Sequence, residues 1–125
     1  MMQSELSNVG RYYASLEAAL RDPSRHGDEE LFAPDCVEHC SDGDRIGAEV
    51  IAWLASRRRT YPDAVWTIEL LTGVGDLVIC HATMLAPEGA GGGTRITETV
   101  AARFVAGRIA ECWRSVDECR FPPRD

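Results

Sequence analysis

Apolar residues in the first twenty positions recur at Leu6, Val9, Tyr13, Leu16 and Leu20. Steps of three and four put them on one stripe of an amphipathic helix. Ser4 is placed as its N-cap, and Asp22-Pro23 ends it. A polar loop follows, then a helical turn at Glu29 to Phe32 and an extended piece from Asp35 to Cys40. Ser41 to Asp44 reads as a turn. A second helix runs from about Gly47 to Thr60, with Val50, Ile51, Trp53 and Leu54 as its apolar side. Arg57, Arg58 and Arg59 fall in its last turn, where cations suit the helix dipole, and read as a solvated end.

The pattern then changes period. From Val65 to Thr72 the chain alternates, with Trp66, Ile68 and Leu70 on one face and Val65, Thr67, Glu69 and Leu71 on the other. Three further strands are expected, Leu77 to Ala86, Arg95 to Ala106 and Arg108 to Glu118. The connections are Gly73 to Asp76, a glycine-rich stretch from Pro87 to Thr94, and Ala106-Gly107. Helices first and four meandering antiparallel strands afterwards give an α+β domain, with the helices on one face of a curved sheet. If side chains do not fill the concave side, a pocket remains.

Composition narrows the function classes. The 125 residues make one domain, 1–125. Apolar residues are 45% and charged residues 26%, an ordinary globular mix. No apolar run approaches the roughly 20 residues that span a bilayer, and no secretory signal is read at the start; a cytoplasmic protein is expected. A net charge of -7 repels phosphate backbones and anionic membranes, so neither nucleic acid nor membrane is an expected partner. Every basic residue is arginine, which excludes a Schiff-base lysine and suggests a GC-rich, bacterial coding genome. The five cysteines, an odd number, read as reduced thiols.

Three stretches together resemble the nuclear transport factor 2-like superfamily, in particular its SnoaL-like and ketosteroid isomerase-like domains. They are Leu31-Phe32-Ala33-Pro34-Asp35-Cys36-Val37-Glu38-His39, Tyr61-Pro62-Asp63, and the closing hairpin from Arg103 to Asp117 with its Ala106-Gly107 turn and Trp113. The resemblance implies a cone of helices and curved antiparallel sheet around a pocket. It further implies cofactor-free proton-transfer chemistry, isomerase- or cyclase-like, on a steroid- or polyketide-like substrate. A non-catalytic ligand-binding or dimerisation module of the same fold is the alternative. A homodimer through the sheet is the family default, and a small apolar organic molecule the expected partner.

Candidate chemistry follows from the same alignment of residues. Asp117 falls at the position of the acid/base aspartate in cyclase-like members and shares a strand face with Trp113 and Ser115. His39 follows the Val37-Glu38 pair where an isomerase carries its general base; imidazole can do that proton transfer at neutral pH. Trp113, Trp66, Tyr13 and His81 are expected to line the pocket. Arg103 is read with Asp117, and with Arg95 and Glu98, as part of an arginine/carboxylate group like that of epoxide hydrolases. No metal site is expected: in Cys36-x-x-His39-Cys40 the histidine points away from the two cysteines on a strand.

Overall fold

The computed structural model describes residues 7–21, 28–88 and 91–122, and their side chains apart from those of 19–21 and 28–29. Three helices, α1 (Asn8–Arg21), the single turn α2 (Asp28–Leu31) and α3 (Ala48–Thr60), accompany six strands. The strands are β1 (Phe32–Cys40), β2 (Gly43–Ile46), β3 (Val65–Val74), β4 (Leu77–Pro87), β5 (Gly93–Val105) and β6 (Arg108–Phe121). They form one sheet in the order β2-β1-β6-β5-β4-β3.

The expected α+β architecture is present, with a larger sheet than the four-strand meander. The Asp35 to Cys40 piece is part of β1, which pairs parallel with β6, and the supposed turn at Ser41 to Asp44 leads into β2. β2 is short and polar, so no apolar alternation announces it.

α1 begins where Ser7 Oγ accepts the Gly10 N–H at 3.0 Å, an N-cap bond. The expected cap Ser4, the residue Leu6 and the side chain of Leu20 lie outside the described residues. The stripe itself turns by one position. Tyr12 is buried and Tyr13 is 45% exposed, so Val9, Tyr12 and Leu16 face the core. Steps of three-then-four and four-then-three fit this helix equally well, and two adjacent tyrosines give the sequence no means of choosing.

α3 sits as expected, with Val50 and Leu54 buried and Ile51 and Trp53 packed against the core. Its entry needs Gly47, at φ 58, whose missing Cβ would lie 2.6 Å from the Pro34 carbonyl oxygen.

β3 departs from simple alternation. Trp66 pairs with Met84 and Ile68 with Ala82, but then Leu70 pairs with His81 and Leu71 with Cys80. The register slips at Glu69, a β-bulge that reverses the faces beyond it. Leu71 therefore packs against the core and Leu70 is half exposed, the reverse of the period-two reading.

One side of the sheet carries the core. Val78, Cys80, Ala82, Met84 and Ala86 of β4 and Ile96, Val100, Ala102 and Phe104 of β5 are buried. Ile109 and Cys112 of β6 and Phe32 and Cys36 of β1 join them. α1 lies over β3 and β4, and α3 over β1 and β2.

Candidate functional site

Between the helices and the inner face of the sheet lies a cavity of about 120 Å³. Its apolar wall comes from Leu16 of α1, Leu31, Phe32, Leu54, Trp66, Ile68, Ala82 and Met84. Its polar wall is Tyr12, Arg57, Arg58, Glu98 and Arg114. Half-exposed Ser15, Leu16 and Arg58 and exposed Pro62 form the part of the lining nearest solvent.

The polar wall belongs to a chain of alternating charges running under the cavity. Arg57 Nη1 and Nη2 donate to Glu98 at 2.5 and 3.2 Å. Arg114 Nη1 donates to the same Glu98 at 2.7 Å, and Arg114 Nε donates to Glu38 Oε1 at 2.8 Å. Arg45 Nη1 donates to Glu38 Oε2 at 2.9 Å, and the Cys112 thiol donates to Oε1 at 3.3 Å. Glu38 is fully inaccessible and Arg114 and Glu98 are buried. Three guanidiniums also surround one indole: Arg45, Arg57 and Arg114 stand 4.2, 4.7 and 5.2 Å from the Trp53 ring. Arg57 additionally lies 5.0 Å from Trp66. Contacts of this kind contribute roughly 0.5–2 kcal/mol each when desolvated.

This arrangement fixes the protonation states. Burial alone would push Glu98 up, but Arg114 and Arg57 outweigh it and hold its carboxyl at about 2. Glu38 is held low in the same way, burial being overcome chiefly by Arg114. Burial drives the Tyr12 phenol well above the ordinary tyrosine range, with Arg114 drawing it back in part. For Arg114, burial would lower the value, but Glu98 and Glu38 raise it further. At neutral pH the cavity therefore presents ionised guanidiniums, an ionised carboxylate already gripped by two of them, and a neutral phenol.

Trp66 lines the cavity. So does Glu98; the others singled out from sequence as site residues do not. Asp117 is exposed on β6, and Trp113, two residues before it, is 42% exposed. The two do share a strand face, but it is the outer one; Cys112 and Arg114, one position out of step, face inward. A single-residue change of phase turns every side chain to the opposite side. His39 likewise points outward. Its Nε2 lies 2.7 Å from Glu111, its Nδ1 3.1 Å from Asp44, and its ring stacks on Trp113 at 5.6 Å. These carboxylates, Glu111 first, raise its pKa.

His81 sits on the outer face too, against Thr99 at 2.8 Å and Glu69 at 3.5 Å. Tyr13 is on the outside of α1. Arg103 pairs with Glu111 at 3.2 Å rather than with Asp117. The expected group of Arg95, Glu98, Arg103 and Asp117 does not assemble; of these, Glu98 alone belongs to the buried set, with Arg57, Arg114 and Glu38. Arg57 is only 12% exposed as a side chain, so the reading of a solvated helix end is corrected for that residue.

Sequence reasoning missed Arg114, Glu38 and Arg57. A signal was available: Glu38, Glu98 and Arg114 each interrupt the apolar set of their strand on the side that carries Cys36, Val100 and Cys112. Charges on a core face must be paired. Among the described residues no group of histidine, cysteine and carboxylate side chains has the arrangement of a metal site.

Comparison with known proteins gives a consistent family. The structure superposes on the AclR candidate hydroxylase from Streptomyces galilaeus with a TM-score of 0.73 and 21% identity, covering 89% of this chain and 91% of that one. Wild-type IdmH, a candidate polyketide cyclase from Streptomyces antibioticus, gives a TM-score of 0.71 and 21% identity, covering 89% and 93%. TerC, crystallised with polyporic acid, gives 0.69 and 18%, covering 88% and 91%. At these identities the likeness is one of fold. No curated protein matches the sequence. The family model for the SnoaL-like domain matches residues 9–112, most of the sheet and nearly all of the helices, and the chain belongs to that family.

Proposed function

We propose that the chain binds a small apolar organic molecule in the inner cavity, with the oxygen-bearing end of the ligand against Tyr12, Arg57 and Arg114. One observation carries this reading: a largely apolar cavity that also meets Tyr12 and the linked Arg57, Glu98 and Arg114. Ligand sites characteristically combine an apolar lining with a few placed polar groups. The volume, about 120 Å³, is close to that of an engineered cavity of about 150 Å³ that holds benzene. A one-ring molecule, or one ring of a larger polyketide-like compound, fits that space.

Proton-transfer chemistry of the isomerase or cyclase kind, if this pocket performs it, falls to Tyr12 rather than to Asp117 or His39. A protonated phenol in a water-poor site can donate to a carbonyl oxygen as negative charge develops there. Glu98, held at about 2, is a weak base. That weakness supports the second reading, a binding module without turnover. We also place a homodimer contact on the outer face of the sheet, around the exposed Trp113, and expect sedimentation at twice the chain mass with loss of the dimer in Trp113→Glu.

The test is saturable quenching of tryptophan fluorescence by 4-methylphenol, repeated in Ala82→Phe, which fills the cavity from β4. Binding that vanishes in the variant supports the reading. Binding unchanged by the variant would place the ligand elsewhere and overturn it.

A further inference from the structure

Resting on that pocket reading, we infer that the ligand is an anion, a small ring-bearing carboxylic acid bound as its carboxylate to Arg57 and Arg114. The polar wall is unbalanced in hydrogen-bonding capacity. A guanidinium has several N–H donors and no acceptor. Arg57, Arg58 and Arg114 all face the cavity, and Arg58 has contacts of its own. The one carboxylate on that wall, Glu98, is already taken: Oε2 receives Arg57 and Arg114, and Oε1 receives Arg57 a second time. Tyr12 adds a phenol that stays protonated. Among the described residues, a ligand entering this cavity meets donors and finds no uncommitted carboxylate to donate to.

The order of charges points the same way. The chain of charges runs Arg45, Glu38, Arg114, Glu98, Arg57, most buried at its centre. At one end Arg45 also meets Asp42, 3.5 Å away and 73% exposed. At the other end, among the described residues, the alternation stops on Arg57, a guanidinium beside the apolar cavity. A carboxylate there would be the next member. The planar fork of arginine matches the two oxygens of a carboxylate. Arg57 is also held between Trp53 and Trp66, so little side-chain freedom remains to be lost on binding. The apolar ring of such a ligand would lie against Trp66, Ile68 and Met84. Nonspecific binding of an anion to this surface is disfavoured by the net charge of -7.

The experiment compares benzoate with benzamide, its neutral near-isostere, by calorimetric titration of the full chain at neutral pH. Benzoate is expected to bind roughly tenfold or more tightly than benzamide, the gain of a charge-assisted pair over a neutral one. In Arg57→Met, whose side chain keeps the apolar stem between the two indoles and leaves Glu98 held by Arg114, the preference should disappear while benzamide still binds. Benzamide binding as tightly as benzoate to the unaltered chain would overturn the anion and leave the pocket standing. Failure of both probes to bind would overturn the pocket reading with it. A benzoate preference surviving in folded Arg57→Met would overturn the assigned site. If that variant does not fold, the comparison in the unaltered chain decides.

Discussion

The two faces of the β1–β6–β5 region carry the same kinds of charged side chain in opposite physical settings. On the inner face Glu38, Arg114 and Glu98 are buried and each is gripped by an opposite charge. On the outer face His39, Glu111 and Arg103 form an equally connected chain, with side chains about one-third exposed. Water screens the outer set, so its pairs contribute little; the inner set is desolvated, so losing one partner leaves an unpaired charge in the core. Sequence motifs direct attention to the outer set because histidine and a strand-end aspartate look catalytic. Desolvation, which gives a polar group its functional leverage, lies on the other side.

The comparison can be broken most forcefully at Arg114. Arg114→Met removes the cation shared by Glu38 and Glu98 and should destabilise the fold by about 3–5 kcal/mol, read from urea unfolding. A cost near that of a surface substitution would mean that the inner chain is not integral to the core.

Acid comes next. The folded Glu98 value, about 2, lies below the ordinary carboxylate value of 4.5. Its contribution is therefore complete above about pH 4.5 and is lost as pH falls toward 2. The unfolding midpoint should drop steeply across that window, and Glu98→Gln should flatten the drop.

The outer set predicts a smaller effect of opposite sense. His39 is raised by Glu111 and Asp44, so the contribution of its clamp is present below the ordinary histidine range and fades as pH rises through the folded value. A ring titration by NMR should place His39 above about 6.5, and His39→Gln should remove any alkaline loss of protection in β2. Smallest of all is Asp117→Asn. Exposed and outside the cavity, it should change stability by within about 0.5 kcal/mol and leave 4-methylphenol binding as it was. Loss of binding in that variant would reopen the outer face as a site.

Much of the fold was legible because it rests on period. The turn residues, α3 and the β4, β5 and β6 hairpins follow from apolar spacing and glycine placement. Phase was harder. Tyr12 differs from Tyr13, and Arg114 from Trp113, by one position, and aromatic residues look apolar wherever they point. The Glu69 bulge was illegible since both Leu70 and Leu71 are apolar. β2 was missed because a short polar edge strand is defined by its partner, not by its own residues. Of the cavity lining, Trp66 and Glu98 were legible, but the buried arginine/carboxylate group was not. Its members come from α3, β1, β5 and β6, and only the parallel β1–β6 pairing brings Glu38 beside Arg114.

The slip at Glu69 also decides which residue of β3 meets α1. It divides β3 into two lengths that count in opposite phase, so Trp66 turns inward at one end and Gly73 at the other. α1 presses close at Gly73: a Cβ there would stand 2.7 Å from Val9 Cγ2. Delete one residue at the slip and a neighbour with a side chain, Thr72 or Val74, would rotate under the helix. α1 would be levered away from the sheet, carrying Tyr12 and Leu16 with it. An irregularity of one residue in an edge strand thus keeps α1 seated on the sheet with which it encloses the chamber.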